Sequence, residues 1–408
     1  MNYLIAVDFC FADAPGGSAR VAWDIAKAAR DCGWKVGMLC LNPRPGALPQ
    51  GPTDVEGIQV ARYTKPVLPA WHPLRMERQI RAAADAFGRH LGATCWDLVH
   101  IHSPLTGAGV MQGAGRTPAY VYTVHSPVVR EQEIVWRGRG AVGALKLLFG
   151  LQKLKALERR LLRRSAAVHV LSEFTRSEIL ACHRLLRPAR VIPHWAREEF
   201  RIAASRQEAR QALGWPVDQL IFFTVRQHGL RYGLDVAIRS FADLRERPGW
   251  MFYVAGDGPM KATLEALTHE LQLTERVRFT GILTDEQLAL AYRASDVFVL
   301  PTRALECFGL IILEAFASGC PVIATDAGAI PEIMHDILPE FIVPAGNAAA
   351  LREKLRAVIE GTVSFPSSQT LMGFAERRYG RRVIVPRLMD LLTSAALPGA
   401  PPNAPSKP

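Results

Sequence analysis

The strongest constraint on how this chain can fold is an alternation of short, β-rich apolar runs with stretches long enough for a helix. The runs YLIAVDF (3–9), KVGMLCL (35–41), DLVHIHS (97–103), AYVYTVH (119–125) and AAVHVLS (166–172) form one series. A second begins afresh with LIFFTVR (220–226) and continues through WMFYVAG (250–256), VRFTGI (277–282), VFVLPT (297–302), PVIATD (321–326) and FIVPAG (341–346). Runs of this kind, separated by helices, imply parallel sheets of βαβ units covered on both faces. With 408 residues the chain exceeds one ordinary core. The fold class expected is therefore α/β, with two Rossmann-like parallel-sheet domains. The first spans 1–194, a linker lies near 194–205, and the second spans 205–371. A helix at about 372–394 is expected to pack back on the first domain. The last residues, 397–408, are proline-rich and aperiodic and read as a disordered tail.

A hydrophobic share of 49% with 21% charged residues excludes disordered, collagen-like and coiled-coil classes. The net charge of +11 favours an acidic partner. Seven cysteines without a C-x-x-C pair indicate neither a disulfide framework nor a zinc site, and a reducing, cytoplasmic setting is expected. The first residues read as a buried strand carrying Asp8 and not as a signal peptide. The longest apolar stretch, 309–327, contains Glu314 and Asp326, so no membrane-spanning helix is expected. Between Arg130 and Arg164 ten Lys/Arg face three Glu. On a helical wheel Leu147, Leu151, Leu154 and Leu161 fall opposite Lys146, Lys153, Arg160 and Arg163. This is either a surface helix with a core-facing stripe or a segment (145–164) that meets an anionic membrane surface. The basic residues have no interleaved stacking aromatics, so a nucleic-acid partner is not expected.

Ligands of open α/β sheets bind beyond the carboxyl ends of the strands. After the first strand, Pro15-Gly16-Gly17-Ser18-Ala19-Arg20 places two glycines where backbone N–H groups can meet an anion, and a plain capping turn has the same composition. In the second half, Thr302 to Leu310 leads from a strand into a helix carrying Glu314. Glu306 on the loop and Glu314 in the helix can both face a ligand over the helix start. An unpartnered carboxylate in LIILEAFASG would be costly, so Glu314 calls for a partner, and a ligand would serve.

ECFGLIILEAFASGCPVIATDAGAIPEIM resembles the signature of retaining family 4 glycosyltransferases, with their E-x7-E motif and two-Rossmann (GT-B) fold. GGSAR (16–20), HIHS (100–103), TVHSP (123–127), LSEFTRS (171–177), VIPHW (191–195), VRQHGLRYG (225–233), AGDGP (255–259) and FTGILTDEQL (279–288) follow the family's order over residues 1–390. The resemblance implies two domains facing across a cleft. It also implies transfer of a sugar from a nucleoside-diphosphate sugar to a glycan, lipid-linked or small-molecule acceptor, with retained configuration. By matching position, Glu314 is implied for the ribose hydroxyls, and Glu306 with the amides of Phe308, Gly309 and Leu310 for the donor sugar. Gly17 is implied near the diphosphate, Gly256 and Ile282 elsewhere in donor binding, and His125 at the reacting end.

The family's G-R-x4-K-G phosphate loop is altered. Aligning on Gly233 puts Gln227 and Tyr232 at the Arg and Lys positions, while Arg226 and Arg231 lie one place earlier with the same separation. Either both cations reach the diphosphate from a shifted register, or only Arg231 does and Arg226 sits in a structural ion pair. His194-Trp195 likewise replaces the more usual N-G. No D-x-D motif occurs, and the pair His100 and His102 has no carboxylate or cysteine beside it, so neither metal nor other cofactor is expected. A nucleotide-sugar epimerase and a non-catalytic nucleotide-sugar binder are the alternatives to a transferase. They differ in whether nucleoside diphosphate is released only with acceptor present.

Overall fold

The computed structural model describes residues 1–397 except 15, 50, 66, 70, 71, 73, 115–117, 138–149 and 186–187. Lys146, Leu147 and residues 398–408 of the expected tail therefore lie outside the described residues. The chain forms two compact units, Met1–Ile192 with Val385–Pro408, and Pro193–Ile384.

In the first unit the strands are β1 (Asn2–Ala6), β2 (Lys35–Leu41), β3 (Thr53–Val55), β4 (Ile58–Tyr63), β5 (Leu98–Ile101), β6 (Ala119–Val124), β7 (Ala167–Val170) and β8 (Ala189–Val191). They lie in the order β3-β4-β2-β1-β5-β6-β7-β8, and every pairing is parallel except the β3–β4 hairpin. That hairpin was not expected: TDV is too short and polar to show in hydrophobic patterning. Its signal is the two-residue turn, where Glu56 and Gly57 take φ of 53° and 78°, the left-handed pair that tight hairpins need. Helices α1 (Gly17–Asp31), α2 (Arg75–His90), α3 (Pro104–Gly113), α4 (Val128–Arg137), α5 (Leu151–Arg164) and α6 (Glu173–Cys182) follow strands in the βαβ manner. Leu4, Val99, Ile101, Val124 and Val168 are among the core residues. A buried ion pair, Arg62 Nε to Asp13 Oδ2 at 2.6 Å, fastens the loop after β1 to β4.

The second unit pairs β9 (Leu220–Val225), β10 (Trp250–Ala255), β11 (Val277–Gly281), β12 (Val297–Leu300), β13 (Val322–Thr325) and β14 (Ile342–Val343) in the order β11-β10-β9-β12-β13-β14, all parallel. Its helices are α7 (Arg206–Leu213), α8 (Leu234–Ala242), α9 (Lys261–Glu270), α10 (Asp285–Ala294), α11 (Leu310–Ala317), α12 (Ile330–Met334), α13 (Ala348–Ile359) and α14 (Ser368–Tyr379). Local sequence sets several boundaries. Ser205 with Glu208, and Thr284 with Gln287, close reciprocal capping boxes at the starts of α7 and α10. The core is aromatic, with the Phe241 ring 4.8 Å from those of both Trp250 and Phe252. The span read as one helix at 372–394 is two, because Gly380 takes an extended conformation between α14 and α15 (Arg381–Ala396).

The basic segment also differs from its wheel. The buried stripe of α5 consists of Leu157, Leu161 and Leu162, while Leu151 and Leu154 are only half-buried. Among the leucines sits Glu158, fully buried. The Tyr122 hydroxyl and the Val128 N–H donate to its Oε1 at 3.2 and 3.1 Å, and His183 Nε2 donates to its Oε2 at 2.8 Å. One carboxylate thus ties α5 to β6, to the start of α4 and to the end of α6. Removing an acceptor from such a set strands three buried donors. Glu158→Ala should lower stability by about 3 kcal/mol, seen as a drop of roughly 6–12 °C in the melting midpoint. Glu158→Gln, which keeps an acceptor oxygen, should recover part of that loss.

Candidate functional site

In the second sheet the strand order reverses at β9, with β10 on one side and β12 on the other, so the loops leaving β9 and β12 diverge at the carboxyl edge. Two glycines let the backbone close up there. A Cβ on Gly256 (φ +112°) would lie 1.9 Å from the carbonyl oxygen of Arg226, and one on Gly233 (φ +69°) would lie 1.9 Å from that of Pro301. Each contact leaves room only for hydrogen and brings the β9 loop against a neighbouring loop.

The β12 loop is fixed in turn. Thr325 Oγ1 donates to the Thr302 carbonyl at 2.5 Å, and the Ala329 N–H donates to the Glu306 carbonyl at 2.8 Å. Leu305 is held at φ 57°, costly for a branched residue, immediately before Glu306. Gly309 (φ 100°) then turns the chain into α11, whose first turn has no acidic residue and no side-chain cap. The N–H groups at Gly309 and Leu310 therefore stand at an uncapped helix start, a favourable place for an anion. Phe308 beside them is buried, with its ring edge-on to Tyr379 at 6.4 Å.

Both arginines of the β9 loop have partners within the protein. Arg226 pairs with Glu306 at 2.5 Å and donates to Thr302 Oγ1 at 2.9 Å. Arg231 donates to the Tyr232 hydroxyl at 2.7 Å. Both guanidinium groups lie over the ring of Tyr232, at 4.5 and 4.7 Å from its centroid. Tyr232, occupying the position where the family carries Lys, thus supplies a cation–π surface that holds two cations together. Sequence reasoning missed this role, since it placed the charge of the loop on Arg226 and Arg231 and gave Tyr232 no part. Arg226 is in an ion pair, and its partner Glu306 is itself a candidate site residue. Ile282, after β11, is 67% exposed and offers an apolar face at the same edge.

Glu314 requires a correction. It is buried, but the protein itself supplies partners: the Tyr292 hydroxyl donates to Oε2 at 3.1 Å, and Arg197 Nη1 lies 3.9 Å from Oε1. Burial and the neighbouring carboxylate push the Tyr292 hydroxyl pKa well up, so it is a donor at any ordinary pH. The cost of burying Glu314 therefore does not demand a ligand. Arg197, 4% exposed, also reaches Asp285 at 2.9 Å and lies 4.9 Å from the Phe200 ring centre. Neither Arg197 nor Tyr292 was singled out from sequence, and a buried arginine following VIPHW leaves no periodic signal.

The first unit has its own polar cluster at the carboxyl edge, where strand order reverses between β1 and β5. Ser103 Oγ donates to Asp8 Oδ1 at 2.5 Å, and Ser126 Oγ donates to Glu131 Oε2 at 3.0 Å. Burial raises the Asp8 pKa, partly offset by the Ser103 hydrogen bond. His125 Nε2 lies 2.9 Å from Nδ1 of His102, so one ring donates and the other accepts. His100 is a core residue: Tyr3 Oη at 2.5 Å and Thr123 Oγ1 at 2.6 Å occupy its ring nitrogens, and burial pushes its pKa well down. Among the described residues no three His, Cys, Asp or Glu side chains gather as a metal site. Gly17 is exposed at the start of α1, whose N-cap Gly16 provides no capping side chain. Cys10, Cys32, Cys40, Cys95, Cys182 and Cys320 are free thiols. Among the described residues no helix is long and apolar enough to cross a membrane.

Comparison with known proteins gives the family of the chain. Residues 16–195 match the glycosyl transferase 4-like domain, and residues 205–371 match glycosyl transferases group 1. The phosphatidyl-myo-inositol mannosyltransferase of Mycobacterium leprae is 34% identical over 198 residues, 48% of this chain and 52% of that protein. This chain spans 52–64% of the length of the leading curated relatives. In fold it resembles sucrose-phosphate synthase from Thermosynechococcus elongatus, with TM-score 0.78, 22% identity and coverage of 95% of this chain and 97% of that one. Anabaena HepE in complex with UDP and glucose gives TM-score 0.72, 18% identity and coverage of 97% and 100%. With both domain models matched in order, and with two parallel-sheet units of the fold those structures share, the chain belongs to the GT-B glycosyltransferases of the family 4 type.

Proposed function

We propose that this chain transfers a sugar from a nucleoside-diphosphate sugar to an acceptor hydroxyl with retention of anomeric configuration. The support is one convergence: Arg226 locked to Glu306, Arg231 bound to Tyr232, and the uncapped start of α11, all at the carboxyl edge of the second sheet. Two cations and a helix start suit a diphosphate, and Glu306 and Glu314 suit sugar and ribose hydroxyls. In the proposed step the acceptor oxygen bonds to the anomeric carbon as that carbon's bond to the β-phosphate oxygen breaks. The acceptor proton passes to the departing phosphate oxygen, and nucleoside diphosphate leaves. Arg231 and Arg226 offset the charge that grows on that oxygen, which is assigned to them and not to a metal ion. Gly17, Gly256, Ile282, Phe308, Gly309 and Leu310 complete the proposed donor contacts, and His125 is assigned to the reacting end.

UDP in the HepE complex supports a nucleotide donor, and the mycobacterial relative, named for a phosphatidylinositol acceptor, supports a lipid-linked one. A membrane surface is then the natural place to meet the acceptor. Arg159, Arg160, Arg163 and Arg164 are exposed and gather around Ala156 on one face of α5, whereas Lys153 is tied to Glu77 of α2 at 3.1 Å. We propose that these four arginines attach the protein peripherally to an anionic leaflet on the cytoplasmic side.

Arg231→Ala should lower kcat by roughly 100-fold while changing donor affinity far less, since its charge is needed most as the bond breaks. Arg226→Ala should lower kcat and also disturb Glu306, measured as a rise in donor KM. Nucleoside diphosphate should appear only when acceptor is present; release without acceptor, or epimerised sugar nucleotide, would overturn the transferase reading. Sedimentation with vesicles tests the surface: binding should need anionic lipid, weaken steeply with salt, and fall when the four arginines are changed to Glu. Salt-independent binding, or none, would count against it.

A further inference from the structure

Arg197 is the fifth residue of the second unit, which begins at Pro193. Its guanidinium spans two segments of the proposed donor site. Nη2 bonds Asp285 Oδ2 at 2.9 Å, and Nη1 lies 3.9 Å from Glu314 Oε1. Asp285 opens α10 three residues after the exposed Ile282, and Glu314 stands in the second turn of α11. One rigid fork thus sets the spacing between the loop after β11 and the carboxylate of α11. Tyr292, on α10 itself, fixes the other carboxylate oxygen. Arg197 is buried, at 4% exposure, and its Nη2 also lies 3.7 Å from Glu199 Oε1, so we assign its contribution to the placing of Glu314 and the loop.

We propose that Arg197 is a positioning residue for the nucleoside half of the donor, holding Glu314 and the Ile282–Asp285 loop at the separation that a ribose and its base require. This rests on the assignment of Glu314 to the ribose hydroxyls. An ionised carboxylate offers acceptors on both oxygens, and its usefulness to a vicinal diol depends on how its plane is set. Arg197 and Tyr292, each on a different oxygen, set that plane. The diphosphate half of the site is built on Arg226, Arg231 and Tyr232, whereas Arg197 bonds Asp285 and approaches Glu314, so the two halves are expected to respond differently to its removal.

The experiment titrates UDP, GDP and inorganic diphosphate into wild type, Arg197→Ala, Arg197→Lys, Glu314→Gln and the Arg197→Ala/Glu314→Gln double variant, after melting curves for each. For the nucleotide that wild type binds, Arg197→Ala should weaken affinity about tenfold, while inorganic diphosphate affinity stays within about twofold. Arg197→Lys, which keeps the charge but cannot bridge both partners, should fall between wild type and Arg197→Ala. The double variant should bind no more weakly than Glu314→Gln alone, because both changes break one device. If Glu314→Gln weakens nucleotide binding and Arg197→Ala does not, the proposal is wrong while the ribose assignment stands. If Arg197→Ala weakens nucleotide and inorganic diphosphate equally, its role is general to the fold and the proposal is again wrong. If Glu314→Gln leaves nucleotide binding unchanged, the ribose assignment fails and the proposal with it. Should Arg197→Ala be unfolded at the titration temperature, Arg197→Lys carries the same comparison.

Discussion

Parallel pairing sends every strand of a sheet out at the same edge, and where the strand order reverses, the two connecting loops part in opposite directions. Both units of this protein place their polar groups at that opening. In the second it lies beside β9, with Arg226 and Arg231 on one loop and Glu306 on the other. In the first it lies between β1 and β5, where Asp8 and Ser103 share a hydrogen bond. Close backbone contact keeps the opening in shape. The Arg226 carbonyl presses on Gly256 and the Pro301 carbonyl on Gly233, so the loops can shift little without moving the strands that carry them.

Charge within the second site is arranged in pairs. Arg226 neutralises Glu306 through one terminal nitrogen and spreads over the Tyr232 ring, while Arg231 uses the hydroxyl of the same tyrosine. Two like charges held over one ring would repel strongly in isolation. The Glu306 carboxylate offsets the charge of Arg226. Glu314 follows the same logic at greater depth. Its contact to Arg197 is long, 3.9 Å, and Tyr292 supplies a neutral hydrogen bond, so its carboxylate is oriented from both oxygens. Pre-setting these groups costs little when a ligand arrives, because their orientation is already fixed by the fold.

Much of the architecture was legible because parallel strands buried on both faces are apolar throughout, and such runs stand out between helices. All eleven runs form strands, as the pairing of β1 with β5 and of β9 with β12 illustrates. The β3–β4 hairpin escaped because its first strand carries Thr53 and Asp54 at a sheet edge, where no core dictates composition. The helix break at Gly380 escaped because apolar residues continue on both sides of it. In α5 the wheel named Leu161 correctly, but Leu157 and Leu162 share the burial with it in place of Leu151 and Leu154, since Glu158 needs to face the same interior as its partners Tyr122 and His183.

The candidate site divides along the same line. The family signature, the two carboxylates Glu306 and Glu314, and the spacing of Arg226 and Arg231 can be read without a structure, because each is local: a residue type at a fixed offset from a strand end or helix start. Tertiary structure alone decided their partners. Arg226 meets Glu306 across 80 residues, Arg197 meets Asp285 across 88, and Tyr292 meets Glu314 across 22. Separations of that kind follow from strand order, which no local pattern encodes, and the pairing energy of a buried charge depends on which neighbour the fold brings within a few ångströms.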